Sequence, residues 1–356
     1  MPLDPAARAG AILEIDLGAV VANWRALAAR AAPAACAAVV KADAYGLGAE
    51  PVAKALRAAG CETFFVATLD EGIALRAVLG GGPEIAVFNG PLTGSAGEYP
   101  AHGLTPVLND LGQVQAWRRA NAPAMLHVDT GMSRLGMTAR ELALFTDDPI
   151  PLVGLVSHLA CADAPEHPLN AVQLARFAAI KAQFPRLRAS LSASSGIFLG
   201  RDYRHDLVRP GAALYGVNPC PGTINPMRQV VTLKGKIVQV REIDRGESVG
   251  YGAAHVMPEP GRLAVVAVGY ADGWLRAMSH RGSGAMAGRR VPLVGRVSMD
   301  LITFDVSALA PGQVRPGDTI ELLGAGYGVD EAAADAGTIG YEILTALGAR
   351  YHRIYR

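Results

Sequence analysis

Short apolar segments alternate with alanine-rich helical segments from about residue 12 to 217. Eight of the apolar runs have the length of strands, at residues 38–41, 63–68, 84–88, 105–108, 124–128, 152–157, 189–193 and 207–208. The helical segments between them cover residues 17–31, 49–59, 70–79, 111–120, 139–145 and 168–184. The strand runs are apolar on both faces, as parallel strands buried on both sides must be. The alternation predicts an α/β fold, a parallel (β/α)8 barrel.

An open, doubly wound sheet is the alternative to a barrel. A dinucleotide site on such a sheet would place a Gly-x-Gly-x-x-Gly turn after the first strand, and the sequence has none there. The eightfold alternation therefore favours the barrel.

The pattern changes after about residue 225. Segments rich in strand-forming residues, separated by glycine and proline, occupy 230–242, 262–269, 290–294, 301–306 and 319–323, and a last helix is expected over 338–347. This pattern predicts a mostly antiparallel β domain. We expect the barrel to cover residues 12–225 and the β domain to cover 226–356, with residues 1–11 joined to it.

Charge and cysteine content exclude several classes of protein. Lys and Arg number 33 against 32 Asp and Glu, which gives no argument for a nucleic-acid or anionic-membrane partner. The four cysteines are scattered without a C-x-x-C pair, so neither a metal site nor a disulfide framework is expected. No apolar run resembles a signal peptide or a membrane span. We expect a soluble, cytoplasmic protein.

Polar residues collect at the predicted carboxyl ends of the barrel strands. Lys41 ends the first strand, His127 lies near the end of the fifth, His158 directly follows the sixth after Ser157, and Arg209 follows the eighth. Taken alone, His158 is as consistent with a structural histidine as with a functional one. Several such groups at one end of a barrel are harder to explain by packing, and active sites of barrels lie at that end.

The Lys41 amine and a set of hydroxyl and backbone N–H groups at the late strand ends together indicate one cofactor. The Lys41 amine, if desolvated, can form a Schiff base with an aldehyde, although a lysine that reaches from a strand end to solvent is the alternative. Hydroxyl and backbone N–H groups of Ser194, Ser195, Gly211 and Ala212 can hold a phosphate, although ordinary turns use the same residues. An aldehyde and a phosphate together indicate pyridoxal phosphate.

Seven motifs follow one another along nearly the whole chain. They are VKADAYGLG at 40–48, DTGMSRLG at 129–136, VRPG at 208–211, LYG at 214–216, GYG at 250–252, VGYADG at 268–273 and GRVSMD at 295–300. In this order they resemble the motifs of the alanine racemase family, fold-type III enzymes that use pyridoxal phosphate. The first motif is similar to the family's highly specific cofactor-lysine signature.

The resemblance implies an enzyme that interconverts L-alanine and D-alanine through a Schiff base with the cofactor and supplies D-alanine for peptidoglycan. It also implies a homodimer with shared active sites. Lys41 would hold the cofactor and act as one acid/base catalyst, and the partner's Tyr251 would act as the other.

The resemblance also assigns binding roles. Tyr45, Ser195, Tyr341 and the backbone of Gly211 and Ala212 would contact the phosphate, Arg209 would face the pyridine nitrogen, and His158 would lie behind that ring or behind Tyr251. Arg134 and the backbone N–H of the partner's Met299 would meet the substrate carboxylate, while the partner's Tyr270 and Asp300 would line the entrance.

An arginine at the pyridine nitrogen has a chemical consequence. Arg209 does not readily release a proton, so the ring nitrogen stays unprotonated and withdraws electrons less strongly. Our hypothesis is that this weaker withdrawal discourages side reactions such as transamination. Lys41 and Tyr251 both have ordinary pKa values near 10, so both pKa values must be lowered for catalysis near neutrality.

One position departs from the family pattern. Many members carry a carbamate-modified lysine before the DTGM motif, which anchors the arginine equivalent to Arg134. This chain has His127 there, so a bound anion or His127 itself must position Arg134, unless His127 only packs in the barrel.

Other functions remain open at this point. A decarboxylase of the same fold type would present an acidic residue at the pyridine nitrogen, which Arg209 argues against. A non-catalytic pyridoxal-phosphate-binding protein would lack the second domain. Serine or another small amino acid is a possible substrate.

Overall fold

The computed structural model describes residues 4–145 and 150–356. The chain forms two compact units. One is Val20–Arg228, and the other combines the described residues up to Ala19 with Gln229–Arg356. The expected domain limits of 12–225 and 226–356 stay a prediction, and the part of that prediction on residues 1–3 lies outside the described residues.

The first unit is built on parallel strands. Seven of them form one sheet in chain order: Ala38–Val39, Thr63–Val66, Glu84–Val87, Thr105–Leu108, Ala124–His127, Leu152–Val156 and Arg188–Ser190. Every neighbouring pair in this sheet is parallel. A further parallel pair joins Ala35–Cys36 to Leu207–Val208.

The eighth strand closes the sheet. Leu207–Val208 pairs with Ala35–Cys36, which continues into the first strand of the sheet. On its other side, the N–H of Asp206 donates to the Ala189 carbonyl at 3.0 Å. The predicted parallel (β/α)8 barrel is therefore confirmed, and the open doubly wound sheet is wrong.

Apolar side chains from the strands fill one common cluster. Its members are Ala37, Val39, Phe65, Ala86, Val107, Met125, Val156 and Leu207, all buried. Tyr45 and Phe88 pack against this cluster and are only partly buried. These two aromatic residues therefore rest on the barrel core while remaining accessible.

Helices connect the barrel strands. Their bounds are Leu17–Ala31, Lys41–Gly46, Ala49–Ala58, Leu69–Leu79, Glu98–Ala101, Leu111–Trp117, Ala139–Leu144, Leu169–Gln183 and Gly196–Leu199, with 3-10 turns at Arg201–Tyr203 and Ala212–Tyr215. Several begin at side-chain caps: Thr68 forms a capping box with Glu71, and Asp110 accepts from the N–H of Gln113.

The second unit contains a mostly antiparallel sheet, as predicted. Its strands are Ala11–Ile15, Val231–Ile243, Gly261–Val266, Ser283–Met286, Arg289–Pro292, Ile302–Asp305, Thr319–Leu323 and His352–Tyr355. The long strand Val231–Ile243 pairs antiparallel with three others, and one pair, Ala11–Ile15 with His352–Tyr355, is parallel. A separate hairpin joins Ser248–Val249 to His255–Val256.

Helices Pro5–Arg8, Val329–Ala336 and Gly340–Ala346 and 3-10 turns Tyr251–Ala253, Tyr270–Asp272 and Arg276–Met278 complete the second unit. The expected last helix at 338–347 corresponds to Gly340–Ala346, whereas Val329–Ala336 was not predicted. In the two described ranges, no helix has the length and apolar character needed to cross a membrane.

Candidate active site

Lys41 lies two residues after the end of the barrel strand Ala38–Val39, separated from it by Val40, and is only partly exposed. Burial lowers its pKa below the ordinary value, and the Arg134 charge lowers it further, while Glu71 acts in the opposite direction. The Nζ atom lies 5.9 Å from the centre of the Phe88 ring. A partly desolvated amine of lowered pKa has the properties required of a nucleophile and of a base near neutrality.

The turn after Lys41 has an unusual backbone. The four residues from Ala42 to Tyr45 have φ between 52° and 56°, the left-handed region, which costs each non-glycine residue roughly 1–2 kcal/mol. Two side chains hold this turn: Glu71 Oε1 accepts from the N–H of Ala42 at 2.7 Å, and Asp43 Oδ1 accepts from the N–H of Ala49 at 2.7 Å. Strain that neighbouring contacts maintain is typical of functional sites.

Tyr45 is carried by this left-handed turn to the end of the last barrel strand. Its ring centre lies 4.8 Å from that of Tyr215. A Cβ atom placed on Gly211 would overlap the Tyr45 hydroxyl, so only glycine allows this close approach. The phenol and the Gly211 backbone therefore share one small space.

Ser194 and Ser195 border the same space. The Ser194 hydroxyl accepts from the N–H groups of Gly211 at 3.1 Å and Ala213 at 3.2 Å. The Gly211 N–H is thus already engaged. Ser195 is buried, and its hydroxyl makes no hydrogen bond to any residue in the ranges 4–145 and 150–356. A serine hydroxyl that no protein group engages, beside glycine backbone and a phenol, can donate to a phosphate group.

Arg209 is 2% exposed. Its Nη2 donates to the Ser157 carbonyl at 2.6 Å and its Nη1 donates to the Ser190 hydroxyl. It forms no ion pair with the described residues, and burial lowers its pKa to about 9. A buried guanidinium with only neutral partners fits an uncharged acceptor such as a pyridine nitrogen better than a protonated one, because a second cation would repel it.

Two histidines accompany Arg209. Burial lowers the pKa of His158 to about 3 and that of His127 to about 4, and the Arg209 charge is the next cause in each case. Both imidazoles are therefore neutral near pH 7. The His127 Nδ1 atom lies 2.7 Å from Oδ1 of Asn109.

Arg134 lies exposed on the loop after the strand Ala124–His127. The Asp129 carboxylate accepts from the N–H groups of three consecutive loop residues, the first being Gly131 at 2.9 Å. The N–H of Met137 returns to the His127 carbonyl at 2.8 Å, so both ends of the loop are fixed. The loop has a defined shape, and its arginine side chain projects from it.

The remaining predicted site residues lie in the second unit. Tyr251 is 71% exposed on a 3-10 turn, and Tyr270, Met299, Asp300 and Tyr341 are also exposed. The structure thus brings Lys41, Tyr45, Arg134, His158, Ser195, Arg209, Gly211 and Ala212 to the barrel and the others to the surface of the second unit.

Sequence reasoning missed several supporting residues. Glu71 holds the backbone after Lys41, Asn109 holds His127, and Ser157 and Ser190 hold Arg209. Only Glu71 had a local signal, since it is the fourth residue of a Thr-x-x-Glu capping box.

Comparisons with known proteins agree with this architecture. Residues 15–219 match the family model described as alanine racemase, N-terminal domain, and residues 230–355 match alanine racemase, C-terminal domain. The alanine racemase of Rhodospirillum rubrum is 54% identical over 360 residues, covering 98% of this chain and 96% of that protein. The catabolic alanine racemase of Mesorhizobium japonicum is 52% identical over 360 residues, covering 98% and 94%.

A solved structure is similar over the same length. The crystal structure of alanine racemase from Bartonella henselae with covalently bound pyridoxal phosphate has a TM-score of 0.94 and 42% identity, covering 98% of this chain and 100% of that one. The chain therefore belongs to the alanine racemase family of pyridoxal-phosphate-dependent isomerases.

Proposed function

We propose that this enzyme interconverts L-alanine and D-alanine and supplies D-alanine for peptidoglycan. The observation that carries the proposal is Arg209, a buried arginine that has only neutral partners among the described residues, in the same barrel as a lysine of lowered pKa. A decarboxylase is not favoured, since both family models and the relatives named above are alanine racemases.

Pyridoxal phosphate supplies, when bound, an electrophilic carbonyl and a conjugated ring that withdraws electron density from the substrate α-carbon. Lys41 holds the cofactor through its amine. Tyr45, Ser195, Ala212 and the Gly211 backbone surround the phosphate, and Tyr341 joins them. Arg209 donates to the ring nitrogen and His158 lies behind the ring or behind Tyr251.

Two residues exchange protons with the α-carbon. The Lys41 amine acts on one face, where its lowered pKa leaves a larger neutral fraction near pH 7. The phenol of the partner's Tyr251 acts on the other face. One group removes the α-proton from one face of the substrate, and the other group returns a proton to the opposite face. This converts one enantiomer into the other.

Substrate orientation depends on two further groups. Arg134 meets the carboxylate with its guanidinium, and the backbone N–H of the partner's Met299 completes that contact. The partner's Tyr270 and Asp300 line the entrance. This assignment needs a homodimer, in which each site takes residues from both chains.

A cytoplasmic location is part of the same proposal. All four cysteines are free thiols, and burial raises the pKa of Cys61 to about 12, which keeps that thiol unreactive. A racemase that prefers serine or another small amino acid is the remaining alternative for the substrate.

Two measurements test the proposal. Purified protein loaded with pyridoxal phosphate is given L-alanine, D-alanine, L-serine or D-serine, and both enantiomers are followed by chiral chromatography. We expect alanine to approach an equal mixture of enantiomers without net loss. Net loss of amino acid, or faster conversion of serine, would contradict the assignment.

Borohydride reduction tests the cofactor lysine separately. We expect peptide mapping to find the reduced cofactor on Lys41. Label on another lysine, such as Lys54 or Lys181, would overturn the assignment of Lys41 whatever the substrate.

A further inference from the structure

Arg350 joins two carboxylates of the second unit. Its Nε and Nη2 atoms lie 2.6 Å and 2.9 Å from the two oxygens of Asp272, and its Nη1 atom lies 2.7 Å from Oδ1 of Asp300. The contact with Asp272 is bidentate, the geometry in which arginine fixes a carboxylate most firmly. The remaining nitrogen, Nη1, is therefore held at a fixed position from which it donates to Asp300.

Asp272 is a firm anchor. It is 4% exposed, its Oδ2 accepts from the N–H of Gly269 at 2.8 Å, and its carbonyl accepts from the N–H of Gly348 at 2.9 Å. A buried carboxylate needs such compensation, and Arg350 supplies the opposite charge. The arginine is thus fixed at its inner end and reaches outward to the exposed Asp300.

The two carboxylates belong to two loops, which we call the Tyr270 loop (residues 269–273) and the Met299 loop (residues 298–301). The loops also contact each other directly: the N–H of Tyr270 donates to the Ser298 carbonyl and that of Ala271 donates to the Met299 carbonyl, both at 3.0 Å. A Cβ atom on Gly269 would overlap the Met299 carbonyl. These contacts fix the peptide bond between Ser298 and Met299 and the carbonyl of Met299. Arg350 fixes the side chain of the following residue, Asp300.

We propose that Arg350 is a positioning residue that fixes the Met299 loop through Asp300 and thereby orients the groups this loop offers to the substrate. The inference rests on the proposed function, in which the Met299 N–H meets the substrate carboxylate of the partner's site. Arg350 itself touches neither substrate nor cofactor. Its removal should weaken substrate binding while leaving proton transfer at Lys41 largely intact.

Arg350→Lys is the primary variant. Lysine keeps the charge beside the buried Asp272 but cannot contact two carboxylates in a fixed plane, so the fold is retained while Asp300 is released. We expect KM for alanine to rise about threefold to tenfold with kcat within about twofold of wild type. Arg290→Lys is the matched control, since Arg290 pairs with Glu331 on the surface of the same unit.

A double-mutant cycle tests the route through Asp300. If Arg350 acts through Asp300, Asp300→Asn alone should raise KM by a similar factor, and adding Arg350→Lys should change it little further. Fully multiplicative effects on KM would show that Arg350 does not act through Asp300 and would overturn the proposal.

Hydrogen–deuterium exchange gives a readout that does not depend on activity. Amides in a peptide covering residues 295–303 should exchange about threefold or more faster in Arg350→Lys than in wild type or Arg290→Lys. Unchanged exchange together with unchanged KM would overturn the inference even if the wild type racemises alanine. If the wild type does not racemise alanine, faster exchange would still support the loop role while the proposed function fails.

Discussion

Asn109 determines which nitrogen of His127 carries the proton. The Asn109 amide nitrogen donates to the carbonyls of Phe88 and Val107, both at 2.9 Å, so its Oδ1 can only accept. The Nδ1 of His127, 2.7 Å from that oxygen, must therefore donate, and Nε2 keeps its lone pair. The Arg134 charge contributes to the low pKa of His127, so the two groups are near enough to interact. A neutral imidazole with an accepting Nε2 suits the position at which many family members carry a carbamate.

Changing Asn109 to Asp should make alanine binding sensitive to pH. A carboxylate at this position favours imidazolium, so the pKa of His127 should rise from about 4 toward or above its ordinary value of 6.5. Below that new pKa, Nε2 becomes a donor and His127 repels Arg134. We expect KM for alanine in Asn109→Asp to rise about threefold or more as pH falls from 8 to 6, with a smaller change in wild type.

Asn121→Asp, at an exposed loop position, is the matched control. The measurement is KM for alanine as a function of pH in wild type, Asn109→Asp and Asn121→Asp. Identical profiles in Asn109→Asp and wild type would mean that His127 does not position Arg134 through its neutral form.

Replacing Arg209 with Glu should make the enzyme less selective for racemisation over transamination. A carboxylate at this buried position would favour a protonated ring nitrogen and a stronger electron sink. We expect racemisation to fall about tenfold or more, while pyruvate from transamination and a long-wavelength absorbance increase. Arg201→Glu, at an exposed arginine of the same unit, should leave the racemisation rate, the pyruvate yield and the absorbance unchanged. An Arg209→Glu enzyme with the wild-type rate and no pyruvate would contradict our explanation of this arginine.

Tyr251→Phe should affect the two enantiomers unequally. The variant lacks the phenolic proton but keeps Lys41, so only one of the two proton transfers is directly lost. Exchange of the α-hydrogen for deuterium, measured by NMR on L-alanine and D-alanine separately, should fall about tenfold more for one enantiomer than for the other. Tyr355→Phe in the same unit is the control. Equal losses for both enantiomers would argue against a division of labour between Lys41 and Tyr251.

Mixing two inactive variants tests whether active sites are shared. In a mixed dimer of Lys41→Ala and Tyr251→Phe, one site carries both lesions and the other is intact if Tyr251 acts on the partner. Random mixing makes half the dimers mixed, so activity should recover to roughly a quarter of wild type. No recovery despite confirmed mixed dimers would exclude a shared site.

The matched control mixes wild type with a chain carrying both substitutions. Under sharing, each mixed dimer has one lesion in each site, so about a quarter of the wild-type activity remains. If Tyr251 acted within its own chain, about half would remain in this control.

The barrel and the positions of its polar strand ends could be predicted because parallel strands carry a repeating apolar pattern and place their carboxyl ends together. Lys41, His158 and Arg209 were found this way. Contacts between residues far apart in sequence left no such pattern: Asn109 is 18 residues from His127, and Arg350 is 78 residues from Asp272. The helix Val329–Ala336 was missed because it interrupts a segment whose glycine and proline content is typical of strands and turns.

The left-handed turn that follows Lys41 has a stereochemical consequence. The backbone angles of Ala42 and Ala44 are the mirror image of the right-handed helical angles that L-residues prefer, so they are the angles that D-residues prefer. In a semisynthetic protein, D-alanine at these two positions should be tolerated, and should relieve strain that L-alanine carries there. An enzyme proposed to produce D-alanine thus holds two of its own L-alanine residues at backbone angles that a D-alanine residue in a peptide would prefer.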